Sequence, residues 1–233
     1  MRMVSPPSDP RGSSVDNISN FFTYVNDNLE FILDETVNHA RIVLIVIAFA
    51  TLTSVLVGAF IQRRPVLRAV VLATSGIILT IPSLALFALF IPLVGIGNPP
   101  AMLALYLYAL MPVLRNTVTG LDSVSPAVVE SARGMGMNTT QQLLRVRLPL
   151  AWPVIMAGVR ISSLLTVGIA AIAILVGGDG LGSYIQGGLT RYGLPNSENS
   201  VFAGVLFTVL LGLVLDIAFG IFQRFTTPRG LRA

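Results

Sequence analysis

The chain has 233 residues, of which 54% are hydrophobic and only 11% charged, with a formal net charge of +4. Its mean hydropathy is +0.80, whereas soluble domains carry about 25% charged residues. This composition excludes a soluble globule of this size and predicts an integral membrane protein.

Missing residue types narrow the chemistry. There is no cysteine, so no disulfide, thiolate nucleophile or zinc–thiolate site exists. The single histidine, His39, stands at the edge of an apolar run with no partner pattern beside it, and reads as an interfacial residue, not a catalytic one. All 15 basic residues are arginine. A phosphate-binding P-loop uses a lysine to reach the β- and γ-phosphates, so if ATP drives this chain another subunit hydrolyses it. The pI of about 10.1 would suit a nucleic-acid partner. The arginines, however, sit at the ends of apolar segments, where they set membrane topology, and no nucleic acid is expected.

Residues 1–17 are polar and rich in proline and serine, without an apolar run, and are expected to form a disordered tail and not a signal peptide. From Ile18, apolar residues recur at three- and four-residue steps (Phe21, Phe22, Val25, Leu29, Ile32, Leu33), opposite Asn26, Asp27, Glu30, Asp34 and Glu35. The one-sided pattern over 18–37 predicts an amphipathic helix lying in the membrane interface. Arg41 marks a boundary, and residues 42–61 are long and apolar enough to cross a ~30 Å hydrocarbon core. Arg63, Arg64 and Arg68 hold the far end in the cytoplasm.

The next apolar run, 69–97, contains Pro82 and Pro92. Cutting it at Pro82 leaves two pieces too short to span, so one tilted, proline-kinked helix is predicted. Carbonyls freed by a kink need partners from neighbouring helices or water. That turns residues 81–86 toward protein or a pathway, with Pro82 and Ser83 as candidate translocation-path residues. Residues 101–114 are too short to span alone; they are either completed by 116–119 inside a bundle or re-entrant.

Residues 125–149 form a polar interruption. Ser125-Pro126 is a helix start, a serine cap followed by proline at the first position. Gly134 and Gly136 are expected to end that helix, Asn138 or Thr139 to cap a second, and Pro149 to stop it. Residues 152–176 make the fourth span, with Ala157, Gly158, Ser162, Ser163, Gly168, Ala170 and Ala171 favouring close packing. Glycine-rich residues 177–200 are an outward loop or a re-entrant cap. Residues 201–222 are the last span, before a cytoplasmic tail at 225–233.

Charge sets the orientation. An outward N-terminus puts Arg63, Arg64, Arg68, Arg115, Arg133, Arg145, Arg147, Arg224, Arg229 and Arg232 inside, and leaves only Arg2, Arg11, Arg41 and Arg191 outside. The predicted fold class is an all-α integral membrane protein: five transmembrane helices (N-out, C-in), an N-terminal interfacial amphipathic helix, and a cytoplasmic helix pair. Arg160 and Asp216 fall within spans, each ~12 Å from the cytoplasmic end at ~1.5 Å per residue. Matching depth favours a structural ion pair, because an unpaired charge there costs at least ~2.5–3.5 kcal/mol. The alternative puts Asp216 on the translocation path as a proton or cation site, but one acid without a relay is thin support for a pathway.

Within 125–149 the spacing runs Glu130-Ser131-Ala132, three residues, Gly136, nine residues, then Val146-Arg147-Leu148-Pro149. It resembles the EAA loop of ATP-binding-cassette (ABC) importer permeases: Glu-Ala-Ala, three residues, Gly, nine residues, Ile-x-Leu-Pro. Ser131 replaces an alanine and Val146 the isoleucine. In that family the loop forms a coupling helix that docks in a groove of the ATPase subunit. The resemblance therefore implies an ATPase-coupling role for Glu130, Ala132, Arg133, Gly134, Gly136, Leu148 and Pro149. Roughly residues 35–230 resemble the subfamily importing glycine betaine, choline and carnitine, through stretches 81–97, 104–117, 177–189 and 215–224.

That resemblance implies a permease domain over 38–224 with no enzymatic activity or bound cofactor of its own. It also implies a second permease copy or paralogue, two ATPase subunits carrying ATP and magnesium, and an extracytoplasmic substrate-binding protein. Methionine-type importers share the plan. An ion-coupled carrier or channel should show inverted repeats or several intramembrane acids, and neither is present in the pattern.

Overall fold

The structure, a computed structural model, describes residues 14–227, and all regular secondary structure among them is helical. Residues 1–13 and 228–233, with Arg2, Arg11, Arg229 and Arg232, lie outside the described residues. The described residues begin with α1 (Ser14–Asp27) and α2 (Leu29–Ile61), so residues 14–17, expected in the tail, are already helical.

The single amphipathic helix expected over 18–37 is instead two pieces. Asn28 interrupts it at φ −111° and ψ 10°, and its side-chain amide donates to the Tyr24 carbonyl at 2.8 Å. Short polar side chains compete with the helical backbone in this way. Residues 29–37 then continue without a break into the first apolar run, and Arg41 lies exposed inside α2, not at its boundary.

The single kinked helix expected over 69–97 is also corrected. The chain forms α3 (Pro65–Ile78) and α4 (Ser83–Val94), bent by 99° at the break between them. Pro82 has no N–H to give and pushes Ile81 out of the helical region. The last turn of α3 tightens accordingly: Thr80 N–H donates to Ile77 O at 2.9 Å and Ile81 N–H to Ile78 O at 3.2 Å.

The stretch too short by composition is an unbroken helix, α5 (Asn98–Asp122), started by Pro99 and Pro100 and running through Pro112. More than half of its most apolar window (56%) is buried by other helices, and its mean hydropathy is only 1.3. Hydropathy reports contact with lipid, and α5 faces protein. Two hydroxyls from its neighbours bond carbonyls just before the proline: Ser162 reaches Ala109 O at 2.9 Å and Ser54 reaches Leu110 O at 3.2 Å. Helix-breaking residues are tolerated in membranes where neighbouring groups satisfy the backbone.

Next come α6 (Pro126–Gly134), α7 (Thr139–Gln142), a π-helical segment (Leu143–Arg147) and α8 (Leu148–Ala170). Pro149 does not stop a helix. The wider π turn, closed by Leu148 N–H on Leu143 O, spreads the carbonyls a proline ring would otherwise strike, and α7 leads through it into α8. The fourth span ends at Ala170, short of 176, where a 3₁₀ turn (Ala173–Val176) takes over. The glycine-rich stretch is not a plain loop. It holds α9 (Gly182–Thr190), whose Gly182 and Gly188 are buried against Ala171 and Ser197 with no room for a side chain. The described chain closes with α10 (Ser197–Thr226).

The helices gather round α5, which packs against α2, α3, α4 and α8. A Cβ on Gly158 of α8 would stand 2.6 Å from Asn116 Cβ and 2.8 Å from Pro112 O, so α5 and α8 approach closely through a small residue. Gly158, Ser162, Ser163 and Ala170 are buried, while Ala157 and Gly168 are exposed. Only one face of α8 carries the contact. His39 is not interfacial: it is 1% exposed, and its Nε2 lies 3.0 Å from Val167 O, joining α2 to α8. Four stretches, α2, α5, Thr139–Ala170 and α10, are long and apolar enough to cross a membrane; the bent α3–α4 pair makes a fifth if counted as one span.

Candidate coupling and translocation site

One end of the bundle carries the α6–α7 unit. The α2–α3 turn is there as well, tied to the end of α5 by an exposed Arg68–Asp122 ion pair. So is the end of α10, where Trp152 Nε1 donates to Thr226 Oγ1 at 2.7 Å. The opposite end holds the start of α2, the α4–α5 turn and α9. There Gly180 N–H donates to Glu35 Oε2 at 2.8 Å, and Asn98 exchanges two hydrogen bonds with Asp179 at 2.7 and 2.8 Å.

The α6–α7 corner is built from short-range hydrogen bonds. Ser125 precedes Pro126 at an extended ψ of 129° and makes no side-chain cap bond; the proline alone pre-sets the first turn. At the other end Gly136 has φ +81°. Met137 N–H donates to Ala132 O at 3.1 Å and Gly136 N–H to Arg133 O at 3.0 Å. This is a Schellman closure, which needs the left-handed conformation that glycine adopts freely. Gly134 is the last helical residue, with open space where a side chain would stand. The terminating role expected of both glycines therefore belongs to Gly136.

Asn138 then caps α7 in a reciprocal box. Its Oδ1 accepts from Gln141 N–H, and Gln141 Oε1 accepts from Asn138 N–H, both at 2.9 Å. Buried Gln142 donates to Met137 O at 2.7 Å. Ala132 is the one buried residue of α6, while Glu130, Arg133, Gly134 and Gly136 are exposed. The unit thus turns one small residue inward and presents a charged, glycine-flanked face outward. Among the described residues Glu130 enters no ion pair.

Leu148 and Pro149 are half-buried and line a cleft of about 230 Å³ with Trp152 and Thr226. Between the two ends of the motif stands Arg147, whose Nη2 donates to Leu121 O at 3.0 Å. Arg147 and Gln142 were not among the residues singled out from sequence for this site. Arg147 lies inside the motif, but a charge beside a membrane reads first as a topology signal.

Pro82 and Ser83 sit at the α3–α4 corner. Pro82 is exposed and caps α4; Ser83 begins it and is half-buried. Tyr108 of α5 donates its hydroxyl to Ile81 O at 2.6 Å. Arg160 and Asp216 meet on facing helices: Nε reaches Oδ1 at 2.8 Å and Nη2 reaches Oδ2 at 2.7 Å. The side chains keep 39% and 27% of their surface exposed. No hydrogen bond among the described residues links this pair to the Pro82 corner.

A family model described as "Binding-protein-dependent transport system inner membrane component" matches residues 36–228. The chain is 35% identical to the glycine betaine/carnitine/choline transport system permease protein OpuCB of Bacillus subtilis, over 92% of this chain and 97% of that one. It is 38% identical to the osmoprotectant import permease protein OsmW of Salmonella typhimurium, over 90% and 98% of the two chains. Among solved structures, the inward-facing MetNI methionine ABC transporter superposes with a TM-score of 0.74 at 22% identity, covering 87% of this chain and 99% of that one. An amino acid ABC transporter with histidines gives a TM-score of 0.65 at 16% identity, over 87% and 95%. At those identities the likeness is one of fold.

Proposed function

This chain belongs to the family of binding-protein-dependent transport system inner membrane components, and from that membership we propose that it is the membrane-spanning subunit of an ABC importer for quaternary ammonium osmoprotectants. Glycine betaine, carnitine and choline are the substrates named for its relatives. ATP and magnesium are bound by two separate ATPase subunits, a second permease copy or paralogue completes the pathway, and an extracytoplasmic binding protein delivers the solute. The permease domain spans 38–224, preceded by an interfacial segment and crossing five times with the N-terminus outside. The arginines of the α2–α3 turn and of the α6–α8 region support that orientation.

The observation that carries the reading is the α6–α7 corner. Its Schellman closure and capping box make a stiff element, and its outward face carries Glu130, Arg133, Gly134 and Gly136. Movement of a docked ATPase reaches α8 through the π segment and reaches α5 through Arg147. The Pro82–Ser83 corner, where the chain turns by 99°, is the flexing point of the pathway. The Arg160–Asp216 pair holds α8 to α10 and fixes the pathway's wall.

The test is uptake into proteoliposomes holding this chain, its ATPase and its binding protein. ATP-dependent accumulation of radiolabelled glycine betaine, choline or carnitine is expected. Accumulation that ignores ATP and collapses with an ionophore would instead reveal an ion-coupled carrier.

A further inference from the structure

At the end of the bundle opposite α6–α7, a cavity of about 780 Å³ opens between α1, the start of α2, α9 and the start of α10. Asn28, at the break between α1 and α2, is one of its lining residues. Its walls hold three aromatic rings, Tyr24, Phe31 and Tyr184, and two carboxylates, Asp27 and Glu35, with Arg191 as the one cation. The coupling motif does not use any of these residues, and the sequence pattern alone assigned them only to an interfacial helix and an outer cap.

The α9 side of the aromatic wall, Tyr184, is held in place. Ser200 Oγ donates to Tyr184 O at 2.8 Å, and a Cβ on Gly204 of α10 would stand 3.0 Å from Tyr184 Cβ, so α9 is seated on α10 beneath that ring. Glu35 is oriented by the Gly180 N–H on its Oε2. Arg191 folds back over the end of α9, its Nε donating to Gly187 O at 3.0 Å. Burial, and then the nearby Tyr24 and Glu35, raise the Tyr184 phenol above its ordinary value, so it stays neutral at physiological pH.

A site of this size range is typical for small molecules. Aromatic faces attract cations that hold little water, quaternary ammonium groups above all, and the two carboxylates add the matching field. We infer that this cavity is a permease-borne binding site for a quaternary ammonium compound: the cationic head lies among Tyr24, Phe31, Tyr184, Asp27 and Glu35, and the carboxylate, in ligands that have one, lies toward Arg191. The inference rests on the osmoprotectant reading above and deepens it. Solute released by the binding protein at this end would be held here before it enters the pathway.

The experiment is equilibrium dialysis of the detergent-solubilised permease–ATPase complex, without binding protein, against radiolabelled choline and glycine betaine. Saturable binding of both is expected. Tyr184→Leu weakens it at least tenfold, Tyr24→Leu on the opposite wall does the same, and Tyr184→Phe restores it because the ring face remains. Arg191→Gln shifts the betaine-to-choline affinity ratio at least fivefold toward choline. 3,3-Dimethyl-1-butanol, the neutral isostere of choline, competes at least tenfold less well than choline. Absence of saturable binding in the wild-type complex, equal competition by the neutral alcohol, or unchanged binding in both leucine variants would overturn the site. Uptake with binding protein, measured on the same preparation, separates the two readings. Uptake without dialysis binding removes the cavity site and keeps the importer; binding without ATP-driven uptake does the reverse.

Discussion

The Tyr108 hydroxyl donates to the Ile81 carbonyl at 2.6 Å, so the most buried candidate span holds the backbone at the 99° bend between α3 and α4. Ile81 directly precedes Pro82, and its carbonyl lies at the break between α3 and α4. Tyr108→Phe keeps the ring and removes only that donor. Leaving a carbonyl unpaired costs about 1–3 kcal/mol. A lower thermal midpoint of the purified complex and slower uptake are expected. An unchanged midpoint together with unchanged uptake would show that water serves the carbonyl equally well.

The two glycines of the α6 terminus should separate cleanly. Gly136 has φ +81°, whereas Gly134 is helical and faces open space. Gly136→Ala should cost about 1–2 kcal/mol from the left-handed conformation and reduce transport-coupled ATPase activity. Gly134→Ala should be neutral or stabilise α6 by up to ~1 kcal/mol. Equal coupling defects in both variants would mean that direct contact with the ATPase, and not the turn, sets the need for glycine.

Arg147 connects the motif to the end of α5 through Leu121 O. Hydrogen bonds to charged groups contribute roughly 1.5–3 kcal/mol. Arg147→Ala should leave ATPase association intact but lower the solute moved per ATP hydrolysed, because α5 no longer follows the corner. The ratio of uptake to hydrolysis is the measurement, and an unchanged ratio would remove Arg147 from the coupling path.

For the ion pair, Asp216→Asn and Arg160→Gln each leave a charge unmatched in a span, at a cost of ~2.5–3.5 kcal/mol. Both singles should express poorly. The exchanged double variant, Arg160→Asp with Asp216→Arg, should recover expression above either single. Failure to recover, with both singles inactive but well folded, would move Asp216 from a structural role to the pathway.

Packing gives a matched control on one helix. A side chain at Gly158 meets Asn116 and the Pro112 carbonyl, whereas at Gly168 nothing lies within 4 Å. Gly158→Ala should push α8 off α5 and cost about 1–3 kcal/mol, and Gly168→Ala should not. Thermal midpoints of the two variants, compared side by side, check this.

Particular residues mark how far the sequence could be read. The motif spacing, the capping at Asn138, the helix start at Pro126 and the depth match of Arg160 with Asp216 rest on local chemistry and helical rise, and each was legible before any fold was known. The course of 69–97, the continuity of α5 and the passage of Pro149 were not. A proline can kink a helix, end it or sit in its first turn, and neighbours decide which: Tyr108 stabilises the broken backbone at 81, Ser162 and Ser54 sustain α5, and a π turn accommodates Pro149. His39 and the cavity between α1, α2, α9 and α10 illustrate the same limit. Apolar runs determined by themselves that this chain lives in a membrane, because lipid exposure is written in hydropathy. The seating of His39 against Val167 and the meeting of Tyr24, Glu35 and Tyr184 around one cavity were decided only by tertiary structure. The first joins residues 128 positions apart and the second brings Tyr184 of α9 to the α1–α2 region, and no local period encodes either.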